Sequence, residues 1–299
     1  MADERIKVLF DTDIGSDIDD AVALAYLLCE RRCELLGVTT VSGEAAKRAE
    51  MASAVCRNAG RDDVPVHSGC TEALLHDIPQ KRAPQAEALG AWDRQRDFAP
   101  NTAVEFLRAT IRAHPGEVTL LTVGPLTNAG LLFATDPEIP SLLKAMVLMC
   151  GRFQVGMGGE WNAINDPHAT AIVYGNGLQS RPPRHVSYGL DVTNRCRLDA
   201  DTCRRRFTAR ALKPVRDFAE VWFRGRDQIT FHDPLAAASI FQPDLCEYRD
   251  GTVTVSLTPP TLGWTVFSDR TDRTDEKPHT IACNVDPDRF FERYFDIVR

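Results

Sequence analysis

Apolar and polar positions along the first half of the chain change period repeatedly, and each change marks an element. Short apolar runs at residues 6–10, 35–41, 118–123 and 145–149 have strand length, and each gives way to a polar or turn-forming stretch. Between them, apolar positions recur at helical spacing over 19–30, over 44–58 up to Gly60, and near 102–113. Asp166-Pro167 offers an N-cap with proline at the first helical position, which predicts a helix running on through Tyr174. A strand at 186–190 follows. This βαβ alternation predicts an α/β fold, with a predominantly parallel open sheet flanked by helices in the Rossmann-like manner. Ligands of such sheets bind at the carboxyl ends of the strands.

The rhythm then changes. Residues 198–228 are rich in arginine and aromatic residues at helical spacing without an obvious strand, and read as a mainly helical segment beside the sheet. Residues 247–257 and about 280–285 read as late strands, and 287–298 as a closing amphipathic helix carrying Phe290, Phe291 and Phe295. Segment 76–100 mixes prolines with charges and reads as a mobile connection, in the manner of a lid. No internal repeat is visible, and a single domain over 1–299 accommodates all of these elements.

Composition narrows the function classes. With 43% apolar and 26% charged residues the chain is an ordinary globular sequence, which excludes disorder and low complexity. No run approaches the roughly 20 apolar residues of a membrane span, so the expectation is a cytoplasmic protein without a membrane partner. Nine cysteines, an odd number with no Cys-x-x-Cys pair, fit reduced thiols rather than zinc or disulfides. Lys plus Arg total 35 against 42 Asp plus Glu, a net charge of −7, which argues against a nucleic-acid partner and fits an acidic pocket holding a cation.

The stretch VLFDTDIGSDIDDAVALAYLL carries that pocket. Asp11, Asp13, Asp17, Asp19 and Asp20 fall at the end of the first strand and the start of a helix. Carboxylates so crowded repel one another, and a helix N-terminus offsets only about 0.3–1 kcal/mol per charge, so a divalent cation is the economical inference. Neighbours on a helix diverge by about 100°, so Asp19 and Asp20 divide the labour: one ligates while the other takes a proton from a water acidified by the cation. An EF-hand is excluded because Gly15 stands fifth and no Glu stands twelfth. A set of turn and N-cap aspartates stays open at this point. So does a phosphatase with Asp11 as nucleophile and Asp13 as its acid/base partner.

Three later segments add donors. Val123-Gly124-Pro125-Leu126-Thr127-Asn128 turns from a strand into a helix, so its carbonyls face the same sheet edge. Glu160-Trp161-Asn162 with Asn165-Asp166 gathers carboxylates, carboxamides and an aromatic plane, a mixture suited to a polyol with an attached ring. Phe231-His232-Asp233-Pro234 opens an apolar helical run.

Together and in this order, these segments resemble the nucleoside hydrolase family, which includes the inosine-uridine preferring enzymes. The GVTTVSG strand end, GLDVT near residue 191 and the terminal DPDRFF helix extend the resemblance over nearly the whole chain. It implies a calcium-dependent enzyme that hydrolyses the N-glycosidic bond of ribonucleosides to free base and ribose, working as a homodimer or homotetramer. Asp13, Asp20, Asp233 and the Val123 carbonyl resemble the family's calcium ligands. Asp19 matches the general base and His232 the proton donor to the leaving base. Glu160 and Asn162 match contacts to ribose hydroxyls, with Trp161 beside them. Protonating the base suits a histidine that titrates near neutrality.

The sequence also departs from the family pattern. Two extra residues separate Gly15 from Asp19-Asp20, which makes Asp17 a competitor of Asp19. Glu44 stands where many members carry a substrate-binding asparagine, and Gln154 stands near another. Segment 76–100 lacks the family's His-Gly and Gly-Leu-Gly pattern. Trp161, Phe218, Trp222 and Phe223 are candidates to stack on a base. A non-catalytic, calcium-dependent nucleoside or sugar binder is the alternative function.

Overall fold

The structure, a computed structural model, describes residues 5–153, 158–175, 181–269 and 278–299. Among the described residues the core is a nine-stranded sheet in the order β10-β9-β11-β6-β5-β4-β1-β2-β3. Its strands are β1 (Ile6–Thr12), β2 (Cys33–Thr40), β3 (Val66–Ser68), β4 (Val118–Thr122), β5 (Ala145–Met149), β6 (His185–Tyr188), β9 (Cys246–Val255), β10 (Thr265–Ser268) and β11 (His279–Val285). The pairs from β3 to β11 are parallel, and at the other edge β9 pairs antiparallel with both β11 and β10. Two short strands, β7 (Arg197–Asp199) and β8 (Gln228–Thr230), pair antiparallel apart from the sheet.

Helices cover both faces. They are α1 (Asp19–Cys29), α2 (Ala45–Asn58), α3 (Ala103–Ala113), α4 (Thr127–Thr135), α5 (Ile139–Leu142), α6 (Trp161–Asn165), α7 (Pro167–Val173), α8 (Leu190–Thr193), α9 (Ala200–Arg206), α10 (Leu212–Trp222), α11 (His232–Phe241) and α12 (Pro287–Ile297). Because both faces are covered, β1, β4 and β5 read as continuous buried runs rather than alternating ones. Val8, Phe10 and Leu121 pack with α1 and α11 in one core, while Leu9, Leu120 and Leu148 pack with α4 and α7 in the other. None of the described helices is long and apolar enough to cross a membrane.

The expected strands and helices of the first half form within a few residues of their predicted ends. Asp166 caps α7 as the Asp-Pro pair predicts, its side chain accepting the Ala169 N–H at 3.0 Å. Two features differ. Segment 76–100 is no loose connection: it carries a 3-10 helix at Pro84–Ala91 that packs on α10 and α2 and buries Gln80, Gln85 and Leu89. Backbone and side-chain hydrogen bonds tie it down, from Ser42 to the Gln80 carbonyl (3.1 Å) and from Gln85 to the Ser16 carbonyl (3.0 Å). The mainly helical segment 198–228 does hold α9 and α10, but β7 and β8 bracket it, three residues each and too short to show a period of two.

Candidate active site

β1 is central, between β2 and β4, so its carboxyl end lies where the loops after all three strands converge. The loop from Asp13 to Ile18 turns there into α1 through Gly15, whose φ of +112° favours glycine. A Cβ on Gly15 would stand 2.7 Å from the Met51 sulfur, so the loop lies flat against α2. Gly124 brings the loop after β4 equally close, since a Cβ there would stand 2.7 Å from Asp13 Oδ1.

The buried cation at this junction is Arg48, on the apolar face of α2 and 0% exposed. Its guanidinium donates to the Ser42 carbonyl (2.8 Å), the Ile14 carbonyl and the Arg82 carbonyl (both 3.1 Å), the Ser16 hydroxyl (2.9 Å) and the Asp13 carbonyl. One side chain thereby pins the aspartate loop, the loop after β2 and the segment before the 3-10 helix. Sequence reasoning missed it, although an arginine among Ala45, Ala49 and Ala52 on a helical apolar face was the available signal.

A cavity of about 600 Å³ opens above this junction. Its floor holds Asp13, Asp17, Asp19, Asp20 and Asp233, with Val123, Glu160 and Asn162 beside them. Carboxylate oxygens of Asp19, Asp20 and Asp233 lie within 4.8 Å of one another, although Asp233 comes from the start of α11, more than two hundred residues away. The Asp233 N–H donates to Asp19 Oδ2 at 3.0 Å, and Thr12 Oγ1 donates to Asp20. Asp13, Asp19, Asp20 and Asp233 are each at most 5% exposed. Burial pushes all four carboxyls up from their ordinary range, and for Asp19, Asp20 and Asp233 repulsion from neighbouring carboxylates adds to it. Burial likewise raises Asp17 to about 6.

Such a floor is an all-oxygen donor set whose charges stay together only with protons or with a cation, and hard oxygen donors suit calcium better than zinc. The residues therefore fit a divalent metal. Asp11 does not belong to the floor. Its Oδ1 accepts from Thr39 (2.5 Å) and Asn128 (2.7 Å), Oδ2 is buried without a partner among the described residues, and it does not line the cavity. A phosphatase nucleophile at Asp11 is thus ruled out by its position.

The walls supply hydroxyl-binding groups. Glu160 caps α6, accepting from Asn162 (2.8 Å), Ala163 (3.0 Å) and Gly151 (3.1 Å) N–H groups. Asn162 donates through Nδ2 to the Val123 (2.7 Å) and Met149 (3.0 Å) carbonyls, which leaves Oδ1 as an acceptor. The Val123 carbonyl keeps a second lone pair. Trp161, 47% exposed, donates its indole N–H to Gln80 Oε1, and Gln80 Nε2 donates to Asp13 Oδ2. Gln80 was another residue the sequence did not single out, because its segment read as a connection.

His232 stands at the first turn of α11, its Nδ1 2.7 Å from the Thr193 hydroxyl. Burial, with Arg197 nearby, pushes this ring down to about 4, so it is neutral at pH 7 rather than titrating near neutrality as the sequence reading expected. Glu44 is not brought to the cavity: its carboxylate accepts the Ala83 N–H at 3.0 Å and secures the segment behind the wall. Gln154 lies outside the described residues. Of the aromatic candidates, Trp161 and Trp222 line the cavity, whereas Phe218 is fully buried in the core and Phe223 packs under Arg204.

Fold and cavity together place the chain among α/β proteins whose acidic cleft, at the carboxyl edge of a parallel sheet, receives a polar small molecule. The family model of the inosine-uridine preferring nucleoside hydrolases matches residues 8–292, and the chain belongs to this family of N-glycosyl hydrolases. Curated relatives include uridine nucleosidase 1 of Arabidopsis thaliana, 29% identical over 87% of this chain and 81% of its own. A pyrimidine-specific ribonucleoside hydrolase of Citrobacter koseri is 30% identical over 96% of each chain. Among solved structures, a purine-preferring ribonucleoside hydrolase from Gardnerella vaginalis superposes with a TM-score of 0.84 over 98% of both chains, at 23% identity.

Proposed function

We propose that the protein hydrolyses ribonucleosides to free base and ribose with calcium as its cofactor, held by Asp13, Asp20, Asp233 and the Val123 carbonyl. The observation that carries this reading is the convergence of Asp19, Asp20 and Asp233 within 4.8 Å beside the Asn162 and Glu160 side chains. A bound calcium ion supplies a positive charge that orients ribose hydroxyls and makes a nearby water more acidic.

The chain's own residues do the rest. Asp19, held by the Asp233 N–H, takes a proton from the attacking water. The water oxygen bonds to C1′ as the C1′–N bond breaks and its electron pair leaves with the base. Positive charge builds on the sugar during this step, and the surrounding carboxylates and the Asn162 oxygen favour it. Glu160 and Asn162 hold the ribose hydroxyls, and Trp161 flanks the ring. His232 gives the departing base its proton. The proton comes from the imidazolium form, in which Nδ1–H donates to the Thr193 hydroxyl and Nε2–H is left for the base, and negative charge building on the departing base favours that form.

A screen of purine and pyrimidine ribonucleosides for released reducing sugar tests the reading, and silence across the whole set contradicts it. Two variants test its parts. His232→Ala is expected to cost about 10²-fold or more on a natural nucleoside but little on p-nitrophenyl riboside, whose leaving group departs unprotonated. Equal losses on both substrates would remove the acid role. Gln80→Leu, which deprives Asp13 of its donor, is expected to raise the calcium concentration for half-maximal activity by roughly 10-fold or more. An unchanged calcium requirement would detach Asp13 from the metal.

A further inference from the structure

Among the described residues Arg48 is the only lysine or arginine that is fully buried. A guanidinium taken out of water is costly unless its N–H groups are met, and every acceptor it reaches here is a neutral oxygen. Its Nε donates to the Ser42 carbonyl, one terminal nitrogen to the Asp13 and Ile14 carbonyls and the Ser16 hydroxyl, and the other to the Arg82 carbonyl. These bonds reach the aspartate loop, the loop after β2 and the segment before the 3-10 helix. A planar fork of donors in fixed directions can span all three, whereas an ammonium on a flexible stem cannot.

Asp13 depends on that fork twice. Its own carbonyl is an acceptor, and its carboxylate is held by Gln80 Nε2, two residues before Arg82 on the segment that Arg48 also holds. Ser16 closes the bracket, its hydroxyl accepting from Arg48 at 2.9 Å and donating to the Arg82 carbonyl at 3.1 Å. The same segment is a wall of the cavity, which Gln80, Lys81 and Arg82 line. The groups assigned to the chemical step are held independently of Arg48: Asp19 by the Asp233 N–H, and His232 beside the Thr193 hydroxyl.

We infer that Arg48 is a positioning residue that sets the affinity of the floor for calcium and of the wall for the nucleoside, without taking part in breaking the bond. For its nucleoside arm the inference rests on the hydrolase reading, and for its metal arm on the calcium site alone. Calcium affinity and KM should therefore follow Arg48, while kcat at saturating calcium and nucleoside should not.

The test titrates calcium calorimetrically into the metal-free full chain, without nucleoside, for the unaltered protein, Arg48→Lys and Arg48→Met. Both variants are expected to raise the calcium dissociation constant by about 10-fold or more, the scale for groups that orient metal ligands. With a ribonucleoside active in the screen, KM at saturating calcium should rise about 10-fold and kcat stay within about 3-fold of the unaltered value. A merely structural role gives the reverse pattern, since a misfolded fraction lowers the apparent kcat while the folded remainder keeps both affinities. That pattern overturns the inference. So does an Arg48→Lys protein with unaltered affinities, because charge without the fork would then suffice. Should neither variant fold, Ser16→Ala carries the test: it opens the bracket and is expected to raise the calcium dissociation constant by about 3-fold, the scale of one neutral hydrogen bond. An unchanged constant there overturns the inference. If no riboside is cleaved, yet calcium binds and binds more weakly in the variants, the hydrolase reading fails and the metal arm stands. No calcium binding by the unaltered protein removes both.

Discussion

A 2′-deoxyribonucleoside is expected to be hydrolysed roughly 10⁴-fold less efficiently than its ribonucleoside, the scale on which a site built to bind a hydroxyl rejects an analogue lacking it. The reason lies in the floor of the cavity. Asn162 has committed both amide hydrogens to the Val123 and Met149 carbonyls, so its Oδ1 has an acceptor's role left, and a ribose hydroxyl is the donor that matches it. Glu160 is equally constrained, with three backbone N–H groups on its carboxylate. Without the 2′ hydroxyl, a buried acceptor and a position beside the metal both lose their partner. The ratio of kcat/KM for the two substrates measures the effect, and a ratio near one means that the sugar does not sit on this floor.

The second large effect belongs to Asp19. Asp19→Asn is expected to lower turnover by about 10²-fold or more while calcium affinity stays close to that of the unaltered protein, the pattern of a lost general base. Asp20→Asn should instead weaken calcium binding itself. The geometry makes this a strict test, because Asp19 lies within the same 4.8 Å cluster as Asp20 and Asp233. Loss of calcium in Asp19→Asn would make Asp19 a ligand. Loss of turnover in Asp17→Asn, with Asp19→Asn active, would transfer the base to Asp17, which also lines the cavity.

Local signals in the sequence carried much of this architecture. The buried runs of β1, β4 and β5 and the Asp166 cap of α7 depend on neighbours within a few residues, and so they are readable from a window of the chain. The Asp-rich opening was legible because its mutual repulsion is a property of adjacent residues. Arg48 and Gln80 were not, since each acquires its role from partners far along the chain: Arg82 for the first, Trp161 and Asp13 for the second. Glu44 shows the opposite error. Its position in the chain matches a substrate-binding residue, but segment 76–100 packs against it and takes its carboxylate for the Ala83 N–H. His232 was placed correctly in the cavity, yet its low proton affinity follows from burial, which no local pattern reports.

Calcium-dependent cleavage of an N-ribosyl bond is the central claim, and product stoichiometry tests it most directly. A ribonucleoside that proves active in the screen is incubated with the calcium-loaded protein, with chelated protein, and with chelated protein resupplied with calcium, and base and sugar are quantified together. The account predicts free base and free sugar in equal amounts, loss of both on chelation, and recovery of both with calcium. Undiminished release of base and sugar by the chelated protein would contradict it, and a set of ribonucleosides all left intact in the screen but bound in a calcium-dependent manner would make the protein a binder.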